Sequence, residues 1–188
     1  MYADYIDTFP TFITCFSVGV TTHGVRPVTF VVAFDGSRLA QTALARAVEY
    51  ASLTEESVLA VAVVPRRDER YARERGWLTS EERFDVTVVS DRLRELVTDL
   101  SDDVSFRCET VGSRSSGAIA TRLRRVAREA DASVVFVGSD SAGHLVVPIS
   151  SVGSTVASDS AYDVHIVRSH APSAVEGLEP VSEFYESD

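Results

Sequence analysis

The feature of this sequence that most constrains its fold is a series of short apolar runs, rich in β-branched residues, that alternate with helical patterns. Val28–Phe34, Val58–Val64 and Ser133–Val137 are almost continuously apolar, as expected of strands covered on both faces. Val104–Thr110 alternates apolar and polar residues, which is typical of a half-exposed or edge strand. A last short run at 163–168 completes a set of five predicted strands.

A helical pattern lies between most neighbouring runs. Ser37 is a predicted N-cap for the first helix, and Thr79 with Glu82 fits a capping box that opens the second, which extends to Leu100. The third helix carries an apolar stripe from Ile119 to Ala130, and the fourth is predicted from Ser151 to about Ala161. Connections of this length suit parallel crossovers. The pattern therefore predicts an α/β fold with a five-stranded parallel open sheet and helices on both faces.

The ends of the chain differ in composition from the part between them. Residues 1–26 form a predicted N-terminal extension, interpreted as a disordered leader rather than as a docking segment that uses Phe9, Phe12 and Phe16. Residues 27–168 contain all the predicted strands and form the predicted domain. Residues 169–188 carry five acidic and no basic side chains and lack an apolar period, so they are predicted to be a disordered acidic tail.

Charge excludes several classes of partner. The net charge is −10, and all 18 basic residues are arginine. Such an acidic surface argues against binding to nucleic acid or to an anionic membrane. No apolar run approaches the length of a membrane-spanning helix, and residues 1–24 lack the basic region of a signal peptide, so a cytoplasmic protein is expected. Acid excess without lysine favours a halophilic, archaeal protein over an ordinary acidic cytosolic one.

Two predicted strands end in small polar residues that are suited to a ligand site. The first is followed by Asp35-Gly36-Ser37 and the fourth by Gly138-Ser139, and Ser150-Ser151-Val152 reads as a helix start. Strand ends of this kind, facing each other at the carboxyl edge of a parallel sheet, form a crevice. A tight loop and a serine-rich helix start are the parts of an anion cradle.

With these motifs the sequence resembles the universal stress protein family over roughly residues 27–168. The resemblance rests on Val31–Ser37, on the Gly138-Ser139 loop, and on Ser150–Val152 leading to the last strand. It implies a Rossmann- or flavodoxin-like three-layer sandwich with strand order 3-2-1-4-5, usually assembled as a dimer. Many members of the family bind ATP and others do not.

The ATP-binding branch of the family has the pattern Gly-x2-Gly-x9-Gly-[Ser/Thr], from which this chain departs in either of two registers. In the preferred register Gly138 keeps its place, and Ser141 and Ser150 replace the other glycines. In the other, Gly143 and Gly153-Ser154 keep the spacing, but Gly138 lies too far away. Each serine adds a Cβ where backbone amides would approach phosphate, so weak or absent nucleotide binding is predicted. The candidate site residues are Asp35, Gly36, Ser37, Gly138, Ser139, Ser141, Gly143, Ser150, Ser151 and Val152.

Two further features keep alternative interpretations. Asp35 matches the family acid that lies near the nucleotide, but Asp-Gly is also a strong turn former. The charged run 66–76 is either a solvated connection, the favoured interpretation, or a lid whose arginines reach a phosphate.

No catalytic or metal-binding motif is apparent in the sequence. It has no Gly-x-Ser-x-Gly elbow after a strand, no Walker lysine and no cluster with metal-ligand spacing. The leading hypothesis is a non-catalytic stress-response or regulatory protein that acts on an unidentified protein partner. No cofactor is expected. It would be a homodimer paired through Val164–Val167. The alternatives are an ATP-binding family member with slow or no hydrolysis, and an enzyme on the same scaffold.

Overall fold

The computed structural model describes residues 29–54, 56–139 and 152–171 of the chain. Five parallel strands form one sheet in the order β3-β2-β1-β4-β5, and helices cover both of its faces. The elements in chain order are β1 (Thr29–Ala33), α1 (Arg38–Thr54), β2 (Ser57–Pro65), α2 (Glu69–Glu74), α3 (Val86–Leu100), β3 (Ser105–Val111), α4 (Ser116–Glu129), β4 (Ala132–Gly138), α5 (Val152–Val156) and β5 (Asp163–Val167). The predicted α/β class, parallel sheet and strand order are confirmed.

Strand β1 lies at the centre of the sheet. Its Val31 pairs with Leu59 of β2 on one side and with Val135 of β4 on the other. The chain order reverses here, since β2 and β3 lie to one side of β1 while β4 and β5 lie to the other. In open α/β sheets, ligands bind beyond the carboxyl ends of the strands at such a reversal.

Alternation along β1 divides the core into two clusters. Phe30 and Val32 face α1 and α3 in one cluster, whereas Val31 faces α4 in the other. The alanines of α1, among them Ala43 and Ala47, are fully buried, and their small side chains let that helix approach the sheet closely. Because both faces of the central strands are covered, their near-continuous apolar runs were a reliable signal.

Thr79 does not cap a helix, which corrects one prediction. Its backbone N–H and its hydroxyl both donate to Glu82 Oε2, at 2.8 and 2.9 Å, as in a capping box. However, helix α3 begins later, at Val86, where Asp85 Oδ1 accepts from Thr87 N at 2.7 Å. The Thr79–Glu82 pair instead shapes the loop before α3.

Helix α5 is much shorter than predicted. It begins at Val152, next to the expected start, but ends at Val156 rather than near Ala161. The segment after it is held by Asp159, which accepts from Arg124 Nε at 2.8 Å and from Arg128 Nη2 at 3.0 Å. An ion-paired connection to α4 thus takes the place of further helical turns.

Within the described ranges, no helix has the length and apolar character needed to cross a membrane.

Candidate functional site

A cleft of about 540 Å³ opens at the carboxyl ends of β1 and β4. This volume is within the usual range for small-molecule sites. Five of the predicted site residues line it: Asp35, Ser37, Gly138, Ser139 and Val152. Gly36 lies in the adjoining turn, and Ser141, Gly143, Ser150 and Ser151 fall outside the described residues. The two strand ends singled out in the sequence therefore meet at one cavity.

Asp35 both forms the turn and faces the cleft; its place beside a nucleotide stays a prediction. Its Oδ1 accepts from Ser37 N at 3.0 Å, while its Oδ2 accepts from Arg75 across the cleft. Gly36 has a φ of +75°, a conformation that glycine adopts without strain. Ser37 Oγ then accepts from Ala40 N at 3.2 Å, which caps α1 as predicted.

Gly138 is required by packing at the bottom of the cleft. A Cβ built on this residue would lie 2.4 Å from the carbonyl carbon and oxygen of Leu39 and 2.7 Å from Ala40 N. These are backbone atoms of the first turn of α1, which cannot move aside as a flexible side chain can. The close approach of α1 to β4 explains the glycine without any ligand.

Three arginines line the cleft that sequence reasoning did not assign to the site: Arg38, Arg75 and Arg114. Arg38 begins α1, Arg75 follows α2, and Arg114 precedes α4, so the chain brings them together from three separate connections. The only sequence signal was the arginine-rich run 66–76, whose less favoured interpretation was a lid that reaches phosphate. That run folds as α2 and places Arg75 in the cleft.

Among the residues that the structure describes, Arg114 has only loose carboxylate neighbours. Its Nε lies 3.8 Å from Asp68 Oδ2 and its Nη1 lies 4.0 Å from Glu74 Oε2. These separations exceed normal hydrogen-bond length, and the side chain is half exposed. The Arg114 guanidinium is therefore available to an anion in the cleft.

A smaller cavity of about 80 Å³ lies beside the cleft and shares its lining at Asp35, Arg75 and Gly138. Its remaining walls are mainly apolar and come from both faces of the sheet: Ala33, Phe34, Val61, Val63, Tyr71, Ile119, Leu123, Val137 and Val152. The site thus combines a cationic mouth with an apolar recess. Burial raises the pKa of the Tyr71 hydroxyl, so this wall stays uncharged at neutral pH.

The far rim of the cleft is formed by residues that follow β5. His170 lines the cleft, and its Nδ1 lies 3.4 Å from Thr42 Oγ1. Arg46 donates to the carbonyl oxygen of Ala171 at 2.5 Å. The chain after β5 is in this way attached to α1. No cluster of three or more potential metal ligands occurs among the residues that the structure describes.

An open parallel sheet with a cleft at the reversal point of its strand order defines the doubly wound class of α/β folds, to which the Rossmann- and flavodoxin-like folds belong. Residues 29–168 match the model of the universal stress protein family, and the chain belongs to that family. No curated protein sequence matches the chain.

Solved structures share the fold at low sequence identity. A universal stress protein in complex with cAMP is 20% identical, with a TM-score of 0.53 over 74% of this chain and 96% of that one. The hypothetical protein MJ0577 is 16% identical, with a TM-score of 0.53 over 76% and 96%. A universal stress protein from Archaeoglobus fulgidus DSM 4304 is 19% identical, with a TM-score of 0.52 over 74% of this chain and 43% of that one.

Proposed function

We propose that this universal stress protein is a non-catalytic regulatory protein whose cleft binds a nucleotide. The observation that carries the proposal is the pairing of the arginine-lined cleft with the apolar recess beside it. Guanidinium groups suit phosphate, and an apolar recess suits a base. The cAMP complex of a protein with the same fold supports this choice of ligand.

The cationic lining changes the balance between weak and appreciable nucleotide binding. Weak binding was expected because serines replace glycines at Ser141 and Ser150 and because the net charge of −10 repels a polyanion. Both serines lie outside the described residues. Among the described residues that line the cleft, three arginines stand against one carboxylate, Asp35, and local charge decides the field that a bound phosphate meets. These contacts favour the nucleotide-binding alternative.

Binding can be tested with the full chain in about 1 M potassium chloride, where the Debye length is about 3 Å. Isothermal titration with AMP, cAMP and ATP should show saturable binding with a dissociation constant below about 1 mM, or about −4 kcal/mol. Mass spectrometry of the denatured protein should detect any nucleotide that copurifies. Absence of both signals would contradict the proposal.

A role in binding rather than turnover is supported by the state of Asp35. In the unliganded cleft its Oδ1 accepts from Ser37 N and its Oδ2 from Arg75, and a phosphate that takes Arg75 would lie against Oδ2, where an attacking water would have to stand. We therefore expect no release of phosphate from ATP above the rate in buffer. Multiple turnovers would favour an enzyme on this scaffold instead.

The proposal also includes a homodimer, a cytoplasmic location and adaptation to high salt. Its support is the position of β5 at one edge of the sheet for the dimer and the acid excess for the salt adaptation.

A further inference from the structure

An ion pair crosses the cleft between two elements that are distant in sequence. Arg75 Nη1, just after α2, donates to Asp35 Oδ2 at the end of β1. The Arg75 guanidinium carbon also lies 5.2 Å from the centre of the Tyr71 ring. The side chains of Arg75 and Asp35 remain 41% and 34% exposed, so water and solutes reach the pair. An exposed pair of this kind contributes little to stability, which leaves it free to exchange partners.

The segment that carries Arg75 is anchored independently of that ion pair. Trp77 is almost fully buried, and its Nε1 donates to the backbone carbonyl of Asp35 at 2.7 Å. Arg73 donates to the carbonyl oxygens of Thr79 and Glu82 at 3.2 and 3.0 Å. Arg75 therefore stays at the cleft even when its side chain leaves Asp35.

We propose that Arg75, with Arg114 beside it, binds the phosphate of the ligand, and that Asp35 is its intramolecular competitor. A guanidinium fork can donate to a carboxylate or to a phosphate with the same bidentate geometry, so the two anions compete for one partner. Phosphate carries the greater charge and has Arg114 as a second cation within the same cleft. An uncharged nucleoside gains nothing from this exchange. The cleft would therefore select nucleotides over nucleosides through the segment after β2, and the inference rests on the proposed function.

This arrangement predicts opposite effects from the two halves of the pair. Arg75→Gln removes the phosphate partner and should weaken AMP binding about tenfold or more, as expected for a lost charge-assisted hydrogen bond. Asp35→Asn removes the competitor and should strengthen AMP binding, by up to about fivefold on the scale of an exposed ion pair. Asparagine keeps an oxygen that can accept from Ser37 N, so the turn is retained. If Asp35 instead bound a ligand hydroxyl, Asp35→Asn would weaken binding.

The experiment measures dissociation constants of AMP and adenosine by isothermal titration for the wild type, Arg75→Gln, Asp35→Asn and Arg70→Gln. Arg70 is the matched control, since it lies on α2, directly before Arg75, and pairs with Glu74 at 2.7 Å, outside the cleft lining. We expect adenosine affinity to change less than twofold in every variant and Arg70→Gln to bind AMP as the wild type does. Trp77 is the single tryptophan, and an unchanged fluorescence spectrum verifies that the segment stays folded.

Each outcome has one meaning. Wild-type protein that binds AMP, with Arg75→Gln binding it equally well, overturns the role of Arg75 and leaves the proposed function standing. Weaker AMP binding by Asp35→Asn overturns the competition. Wild-type protein that binds neither AMP nor adenosine overturns the proposed function and this inference together. If Arg75→Gln changes the Trp77 spectrum, Arg75→Lys decides, because lysine keeps the charge but loses the bidentate fork. An AMP affinity below that of the wild type supports the role of Arg75. An AMP affinity equal to that of the wild type opposes it.

Discussion

Gly138 and Asp159 are residues whose surroundings leave little room for substitution. Gly138 meets the backbone of α1 directly. Asp159 has a side chain only 2% exposed and accepts from two arginines of α4 and from Ala161 N at 3.1 Å. Both residues fix the position of an element that borders the cleft, so their effect on ligand binding would be indirect.

Gly138→Ala should strongly destabilise the protein. The new Cβ would lie 2.4 Å from backbone atoms of Leu39, and overpacking of this kind costs about 1–3 kcal/mol or more. The measurement is the free energy of unfolding from urea titration. Gly117→Ala is the matched control, because a Cβ there meets nothing within 4 Å and should stabilise α4 by about 0.5 kcal/mol. Equal stability of the two variants would mean that α1 does not pack closely on Gly138.

Asp159→Asn should change how stability depends on pH. Hydrogen bonds from Arg124, and then from Arg128, lower the pKa of Asp159 from 3.8 to about 2. A lowered folded-state pKa contributes stability above the unfolded pKa that is lost as pH falls through the folded one. The stability difference between wild type and variant should thus be constant above about pH 5 and narrow between about pH 4 and 2.

The control for that measurement is Asp91→Asn, which removes an exposed pair with Arg94 at 2.9 Å. It should leave the wild-type pH profile nearly unchanged, since exposed pairs contribute little. A difference between wild type and Asp159→Asn that persists unchanged to pH 2 would contradict the role of the carboxylate charge.

At the scale of elements, the predictable parts are those specified by local pattern. Strands β1 and β2 can be recognised in the sequence as apolar runs because both of their faces are buried. The start of helix α5 was predicted, but its early end was not, since the segment after it is held by Asp159 meeting Arg124 from a distant helix. The cleft arginines were missed for the same reason: Arg38, Arg75 and Arg114 converge only after the sheet has formed. Arg75 in particular lies in the charged run 66–76, whose composition is typical of a solvated connection.

Helix α3 offers a test of which residue begins it. Asp85→Ala removes the side chain that accepts from Thr87 N and should cost about 1 kcal/mol of unfolding free energy. Asp85→Asn keeps an N-cap acceptor and should recover most of this loss. Unchanged stability in Asp85→Ala, measured by urea titration, would return the N-cap role to Thr79.

At the scale of the whole molecule, the two edges of the sheet differ in charge. Edge strand β3 presents Arg107 and Glu109, which pair with each other and with residues of α4. Charged edges of this kind discourage pairing with another chain. Edge strand β5 carries its carboxylate, Asp163, at its exposed start, and the rest of the strand is Val164–Val167, in which burial lowers the pKa of His165. The contrast favours β5 as the dimer edge.

We expect a homodimer at micromolar concentration in high salt, measured by light scattering. Ile166→Arg places a charge on the half-buried part of β5 and should shift the protein to monomer. Ser105→Arg, on the exposed start of the β3 edge, should leave the dimer intact. A wild-type monomer, or equal effects of the two variants, would contradict pairing through β5.

The charge distribution of the whole molecule also determines how its stability depends on salt concentration. With a net charge of −10, long-range repulsion among carboxylates opposes the compact state. Raising potassium chloride from about 0.1 to 1 M shortens the Debye length from about 10 to about 3 Å. That change screens distant charges far more than contacts such as the buried Asp159–Arg124 pair. We therefore expect the melting temperature to rise across this range.

Asp102 and Asp103 are adjacent, exposed and without an ion pair among the described residues. The double variant Asp102→Asn, Asp103→Asn should accordingly melt higher than the wild type at low salt and gain less from added salt. A flat or falling melting temperature in the wild type would contradict adaptation to high salt, and an equal gain in the variant would show that salt acts through hydration rather than through charge.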